Sequence, residues 1–266
     1  MTIRDWIHKR EIEGLATFTS QDVATAFTGL DPQVIRNNLY RASKAGIIAQ
    51  PYRGFYVIIP PHYAAKGIVP AVYYIDQLMA YIRKPYYIGL LSAAEMLGAA
   101  HQRPQRFSVM TTFPQLHVQK QTSLDWSYRA SINRELLQTR NSETGTVCFS
   151  CPELTALDLV QYEQHIGGLS RAATIIEELS EQFNWKGAAE NGVFAQSTIA
   201  SVQRLGYILE NVLQNQEQAD ALFTELHLLS PKLNRFPLST RKSAEGSDVN
   251  KRWNILINTE IEIDEL

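Results

Sequence analysis

The 266-residue chain has only two cysteines and no long apolar run. Two cysteines do not indicate a disulfide framework, which favours a cytoplasmic location. No apolar run reaches the ~20 residues that cross a bilayer, and the N-terminus lacks the basic and then apolar pattern of a secretion signal. Low-complexity tracts and internal repeats are absent as well. These absences predict a cytoplasmic protein without a membrane anchor.

The sequence also has little that indicates catalysis or a metal site. It lacks a phosphate-binding glycine loop, a Gly-x-Ser-x-Gly elbow and carboxylates at nuclease-like spacing, and its six histidines lack the pairing of a zinc helix. Cys148 and Cys151 have C-x-x-C spacing, but residues three apart on a predicted strand face opposite sides, which disfavours a disulfide or a shared metal. We therefore expect no catalytic residue, no cofactor and no metal.

Composition and charge predict two globular parts with different partners. Hydrophobic residues make up 45% of the chain and charged residues 20%, as expected for a packed core, and the length favours two domains. Residues 1–70 hold 8 Lys/Arg and 5 Asp/Glu, and residues 71–150 hold the same numbers, so each balance is +3. Residues 151–266 hold 9 and 17, a balance of -8. The basic front suits phosphate contact, whereas the acidic rear suits a basic protein partner or plain solvation.

The run from Asp31 to Gly46 predicts a helix with one apolar and one polar face. Asp31 can cap its start, Pro32 suits its first turn, and Gly46 suits the left-handed position after its end. The apolar face comprises Val34, Ile35, Leu39 and Ala42. Side chains on the polar face can bond base edges or phosphates. These candidate DNA-binding residues are Gln33, Arg36, Asn37, Tyr40, Arg41 and Lys44.

The flanking segments complete the pattern of a winged helix-turn-helix. A first helix is predicted over Thr2–Glu13, with Ile3, Trp6, Ile7 and Ile12 turned inward. A capping box at Thr19–Asp22 opens a short second helix, and the polar-faced helix follows after a turn. Two strands, 47–50 and 54–58, are predicted to form a hairpin with Arg53 near its tip. An arginine on such a wing commonly enters the minor groove or holds a phosphate, so Arg53 joins the candidate DNA-binding residues.

The remaining chain predicts a larger mixed domain, and the fold class is α+β. Residues 1–69 form the predicted DNA-binding domain, a proline-rich linker covers about 59–70, and residues 70–266 form the second domain. Its predicted strands are 106–111, 116–119, 124–129, 146–151 and 252–258. Helices are expected at 73–84, 89–100, 152–164, 169–183, 196–213 and 216–229. The helix at 152–164 places the lone acid Asp158 in an apolar setting, where a buried capping or linking hydrogen bond is its expected role. Trp253 is expected to anchor the last strand in the core.

Several ordered motifs resemble the AbiEi antitoxin family over nearly the whole chain. The Arg53–Tyr56 wing resembles the N-terminal domain of that family. Position 151, where this chain has a cysteine, usually has a hydroxyl residue in family members. The motifs of the second domain are Tyr86–Glu95, Gly98–Gln105, Cys151–Val160, Gly167–Leu169, Arg204–Glu210 and Arg252–Ile255.

This resemblance implies a type IV toxin–antitoxin and abortive-infection system. Family members repress their own operon by binding promoter inverted repeats through the N-terminal domain. The C-terminal domain counteracts a toxin that resembles a nucleotidyltransferase, without a necessary stable complex. The implied partners are double-stranded operator DNA and that toxin, and one recognition helix per copy predicts self-association on DNA.

A second hypothesis is a winged-helix regulator whose C-terminal domain senses a ligand or acts as an enzyme. The polar cluster of His101, Gln102, Arg103 and Gln105 would be its pocket. A capped helix end, with the histidine bonded to backbone, explains the same residues.

Overall fold

The computed structural model describes residues 1–64, 69–99, 104–116, 123–230 and 232–263. The fold is α+β, as the sequence predicts, with helices grouped around separate sheets. The chain divides into two compact units. Unit 1 comprises residues 1–86, 111–130 and 139–148, and unit 2 comprises residues 87–110, 131–138 and 149–266.

Unit 1 begins with three helices and a three-stranded antiparallel sheet. The helices are α1 (Ile3–Ile12), α2 (Ser20–Ala26) and α3 (Pro32–Lys44). The strands are β1 (Thr17–Thr19), β2 (Ile48–Tyr52) and β3 (Phe55–Ile58), in the order β1-β3-β2. Thr17 lies opposite Val57, and Ile48 opposite Ile58, so β3 is the central strand.

Local capping fixes where these helices start and end. The Thr19 hydroxyl accepts the Asp22 N–H at 3.2 Å, and Asp22 accepts the Thr19 N–H at 2.7 Å, which forms the predicted capping box. Asp31 accepts the Gln33 N–H at 2.7 Å at the start of α3. Gly46 has φ +68°, the left-handed conformation predicted after the helix end.

One apolar cluster holds the helices to this sheet. Periodicity predicted that Ile12 and Val34 would also face inward, and both predictions are wrong. Ile12 is 73% exposed, because it follows Ile3 by about two and a half helical turns and so lies on the opposite side of α1. Val34 is 43% exposed, because it lies about 100° around α3 from the buried stripe. The buried cluster consists of Ile3, Trp6, Ile7, Phe18, Val23, Ile35, Leu39, Ala42, Ile48, Tyr56 and Ile58.

The chain then continues through short helices and a five-stranded sheet. The helices are α4 (Pro61–Ala64), α5 (Ile75–Ile82) and α6 (Leu90–Met96). The strands, in the order β6-β5-β4-β8-β7, are β4 (Tyr86–Ile88), β5 (Phe107–Thr112), β6 (Leu124–Arg129), β7 (Leu137–Ser142) and β8 (Gly145–Ser150). The sequence reading missed β4 and β7. The strand predicted at 116–119 is not present at Leu116, and its residues from 117 lie outside the described ranges.

Unit 2 is mainly helical around one large apolar cluster. Its later helices are α7 (Pro152–Gln161), α8 (Glu163–Ile166), α9 (Leu169–Leu179), α10 (Ile199–Tyr207) with a π-helical extension over Ile208–Val212, and α11 (Gln216–Leu229). A small sheet has the order β10-β11-β9, from β9 (Phe236–Pro237), β10 (Asp248–Asn250) and β11 (Ile255–Ile257).

Trp253 is a core anchor, as predicted, but it lies before the last strand rather than in it. Its ring is fully buried, and its backbone N–H donates to the Asn250 side chain at 2.9 Å. Asn254 has φ +49°, a turn conformation that delays the strand until Ile255. Trp253 therefore lies in the turn between β10 and β11, with its ring in the core.

Candidate nucleic-acid interface

The seven predicted DNA-binding residues all lie on unit 1 with exposed side chains. Six of them lie along α3, opposite its buried stripe of Ile35, Leu39 and Ala42. The seventh, Arg53, lies in the turn between β2 and β3. The amphipathic pattern of α3 thus presents polar groups outward because its apolar groups are fixed in the core.

The first turns of α3 carry a connected group of three polar side chains. The Arg36 guanidinium donates to the Gln33 side-chain oxygen at 3.2 Å from Nε and at 2.5 Å from Nη2. The Gln33 amide in turn donates to Asn37 Oδ1 at 3.1 Å. These bonds hold two amides and a guanidinium side by side on one exposed surface, where each retains further donor or acceptor positions.

The later turns of α3 are basic and aromatic. Tyr40 is 65% exposed, and the Lys44 ammonium lies 5.7 Å from its ring centroid. Arg41 lies on the same exposed side of the helix. A phenol and two cations of this kind suit an anionic backbone, because Tyr, Arg and Lys side chains commonly bond phosphate oxygens.

The β2–β3 hairpin places Arg53 at its tip, as the sequence predicts. Arg53 and Gly54 form the turn, and Gly54 has φ +77°, which favours glycine. The Arg53 side chain is exposed, while its carbonyl oxygen accepts a hydrogen bond from the Tyr81 hydroxyl at 3.3 Å.

A cleft of about 770 Å³ in unit 1 brings two of the predicted residues together. Arg36 and Arg53 both line it, above apolar side chains such as Ile35 and Leu39. Tyr81, from α5, also lines this cleft. Sequence reasoning missed Tyr81, because it lies in a segment assigned to the second domain and no local motif marks it. Other polar lining residues that the sequence did not single out are Ser20, Gln21 and Gln50.

Asp158, Cys148 and Cys151 are the residues outside α3 and the hairpin whose possible chemistry the sequence raises. Asp158 is fully buried and accepts the Tyr87 hydroxyl at 2.6 Å, which confirms its predicted linking role. Neither Cys148 of unit 1 nor Cys151 of unit 2 is part of a disulfide. Burial raises the pKa of Cys151 to about 12, which keeps its thiol protonated near neutral pH. The structure places Cys151 at the start of α7 rather than on a strand, because β8 ends at Ser150.

The predicted polar cluster near position 101 is largely outside the described ranges. His101, Gln102 and Arg103 fall there, while Gln105 is exposed. The described residues of unit 2 do contain a cavity of about 810 Å³ with mixed lining, including Tyr207, Asn211, Lys242 and Glu260. Within the described ranges no group of three or more His, Cys, Asp or Glu could hold a metal ion, and no helix there has the length and apolar character needed to span a bilayer.

Comparison with known proteins identifies the second part of the chain. The crystal structure of RV2827C protein from Mycobacterium tuberculosis covers 94% of this chain and 89% of its own, with TM-score 0.69 and 15% identity, which shows a shared fold alone. No curated protein matches the sequence. Residues 87–211 match the family model of the AbiEi antitoxin C-terminal domain. This match supports an AbiEi-type antitoxin domain over residues 87–211.

Proposed function

We propose that this chain is a type IV antitoxin that also represses its own operon. The AbiEi domain supports an antitoxin role in a toxin–antitoxin system. In our proposal residues 1–69 act as a winged helix on operator DNA, while the domain from residue 70 counteracts a nucleotidyltransferase-like toxin. The observation that carries the repressor half is the exposed polar face of α3 beside a hairpin with Arg53 at its turn.

The early turns of α3 would enter the major groove, because recognition helices read bases with their N-terminal residues. Gln33 and Asn37 can each bond adenine in a bidentate way, and Arg36 can bond guanine. The hydrogen bonds that join these three side chains support this role, since they limit the rotamers that must be ordered on binding.

The later turns and the hairpin would hold the DNA backbone. Tyr40, Arg41 and Lys44 follow the base-reading group along the same helix face, and Arg53 would reach a phosphate or the minor groove from the wing. One helix reads too few base pairs for a useful operator, so two copies would bind an inverted repeat.

Salt dependence tests the repressor half. If Arg41, Lys44 and Arg53 each neutralise a phosphate, the slope of log K against log salt is about -3 for each bound copy. Lys44→Ala should make this slope shallower by about 1 per copy. Fluorescence anisotropy with a duplex from the region upstream of the gene, titrated at several salt concentrations, measures both values.

The matched control is Lys9→Ala, which removes an exposed lysine of α1 from outside the proposed interface. It should leave the slope unchanged. A wild-type slope near zero, or equal changes in the two lysine variants, would contradict backbone contact through α3.

The acidic C-terminal half supports a task other than DNA binding. Residues 151–266 carry 17 Asp/Glu against 9 Lys/Arg, a charge that DNA would repel. A basic surface on the toxin is the matching partner. Copurification with the toxin encoded beside this gene, at low and at high salt, separates the possibilities, because a complex lost only at high salt indicates a charge-driven contact.

The alternative function is a regulator whose second domain senses a ligand, and the mixed-lined cavity near Lys242 favours it. A thermal-shift screen against nucleotides and metal ions discriminates the two. A true ligand raises the melting temperature with its concentration above Kd, whereas an antitoxin without a ligand site gives no shift.

A further inference from the structure

Tyr81 of α5 makes three contacts with the β2–β3 hairpin. Its hydroxyl donates to the carbonyl oxygen of Arg53 at 3.3 Å. Its ring centroid lies 5.6 Å from that of Phe55 and 6.3 Å from that of Tyr52, so the phenol packs against residues on both sides of the turn. This side chain therefore contacts both hairpin strands and the turn that joins them.

The hairpin turn lies close against the same hydroxyl. A Cβ added at Gly54 would lie 2.7 Å from the Tyr81 oxygen, closer than van der Waals contact permits. Gly54 also needs its φ of +77°, which other residues rarely adopt. The glycine thus allows both the shape of the turn and its approach to Tyr81.

The helix that carries Tyr81 is itself anchored within unit 1. Ile75, Leu78 and Met79 of α5 are buried. One turn before Tyr81, the Gln77 side chain donates to the Thr144 carbonyl at 2.8 Å. These contacts give Tyr81 a fixed support.

We propose that Tyr81 is a positioning residue that holds the wing turn, and with it Arg53, in the orientation that meets DNA. The inference rests on the proposed function, and it extends the DNA-reading apparatus beyond residue 69 to α5. The hydrogen bond restrains the peptide of Arg53, and the ring restrains both strands, so less conformational entropy is lost when the guanidinium binds. Tyr81 itself contacts no DNA in this scheme.

A double-mutant cycle tests the proposal with the full-length chain and the upstream duplex. Tyr81→Phe keeps the ring packing and removes the hydroxyl donor, so we expect binding about two- to tenfold weaker. In an Arg53→Ala background the same change should have almost no effect, because Tyr81 acts through Arg53. In a Lys44→Ala background it should retain its full effect. A general loss of stability would weaken binding equally in both backgrounds.

A second readout needs no DNA. Trypsin can cleave after Arg53, and cleavage depends on local opening of the turn. We expect faster cleavage at this bond in Tyr81→Phe than in the wild type, with unchanged cleavage after Arg4. Equal DNA binding and equal cleavage in Tyr81→Phe and wild type would overturn this inference alone. A wild-type chain that fails to bind the upstream duplex would overturn the proposed function, and this inference with it.

Discussion

Arg36→Ala is expected to weaken binding to the upstream duplex by about 5- to 150-fold, which corresponds to the roughly 1–3 kcal/mol of a bidentate arginine–guanine contact. Two effects combine in this variant. The proposed base contact is lost, and Gln33 loses the guanidinium that bonds its side-chain oxygen at 2.5 Å, so the neighbouring amides become freer. Arg53→Ala, in the turn between β2 and β3, is expected to weaken binding as well. Gel retention of the upstream duplex by each variant measures the effect.

The control for this prediction is Arg4→Ala, which removes an exposed arginine of α1. It changes the net charge by the same amount, so its effect reports nonspecific electrostatics. Competition with unrelated duplex separates loss of a base contact from loss of a phosphate contact, because only the former relaxes sequence preference. Unchanged retention by both the Arg36 and the Arg53 variant would refute the docking scheme.

Trp253→Ala is expected to lower the free energy of unfolding by about 3–5 kcal/mol, the usual cost of truncating a buried tryptophan. The indole is fully buried against α10, where a Cβ at Gly206 would lie 2.1 Å from the ring, so no side chain at 206 could share this space. Phe223 packs edge-on at 5.2 Å. The indole N–H also donates to Glu210, which would lose that partner.

Urea denaturation followed by circular dichroism measures this loss. Leu228→Ala is the matched control, because Leu228 is 72% exposed on α11 and its truncation should change the free energy of unfolding by less than about 0.5 kcal/mol. Equal midpoints for the two variants would show that the indole does not anchor the core of unit 2.

The elements that local signals define were predictable from the sequence. The Thr19–Asp22 capping box, the Asp31 cap and Gly46 mark the ends of α2 and α3, and all three act as predicted. Periodicity then assigned the two faces of α3. The two wrong inward positions, Ile12 of α1 and Val34 of α3, are apolar residues that lie about 180° from Ile3 and about 100° from the buried stripe of α3, respectively.

The elements that depend on distant neighbours were not predictable. β4 has only three residues and lies directly before a segment whose pattern predicts a helix. β7 exposes most of its polar residues, so it lacks the alternation that marks a half-buried strand. Both strands form because neighbouring strands supply backbone hydrogen bonds, and the local sequence does not indicate which strands will be neighbours.

The candidate site also has a part that the sequence predicted and a part that it did not. Local sequence pattern and turn chemistry predicted the polar face of α3 and the position of Arg53. The contact of Tyr81 with the hairpin does not, since 28 positions separate it from Arg53 and only the packing of α5 joins them.

The most direct test of the whole account is a paired assay in cells that carry the adjacent toxin gene and a reporter driven by the native promoter. The full-length Arg36→Ala/Arg53→Ala double variant is compared with the wild type at equal protein levels. We expect full growth rescue together with loss of promoter repression, because the proposed DNA-binding face on α3 and the AbiEi domain at 87–211 occupy different parts of the chain. Loss of rescue, or repression equal to that of the wild type, would contradict this division of function.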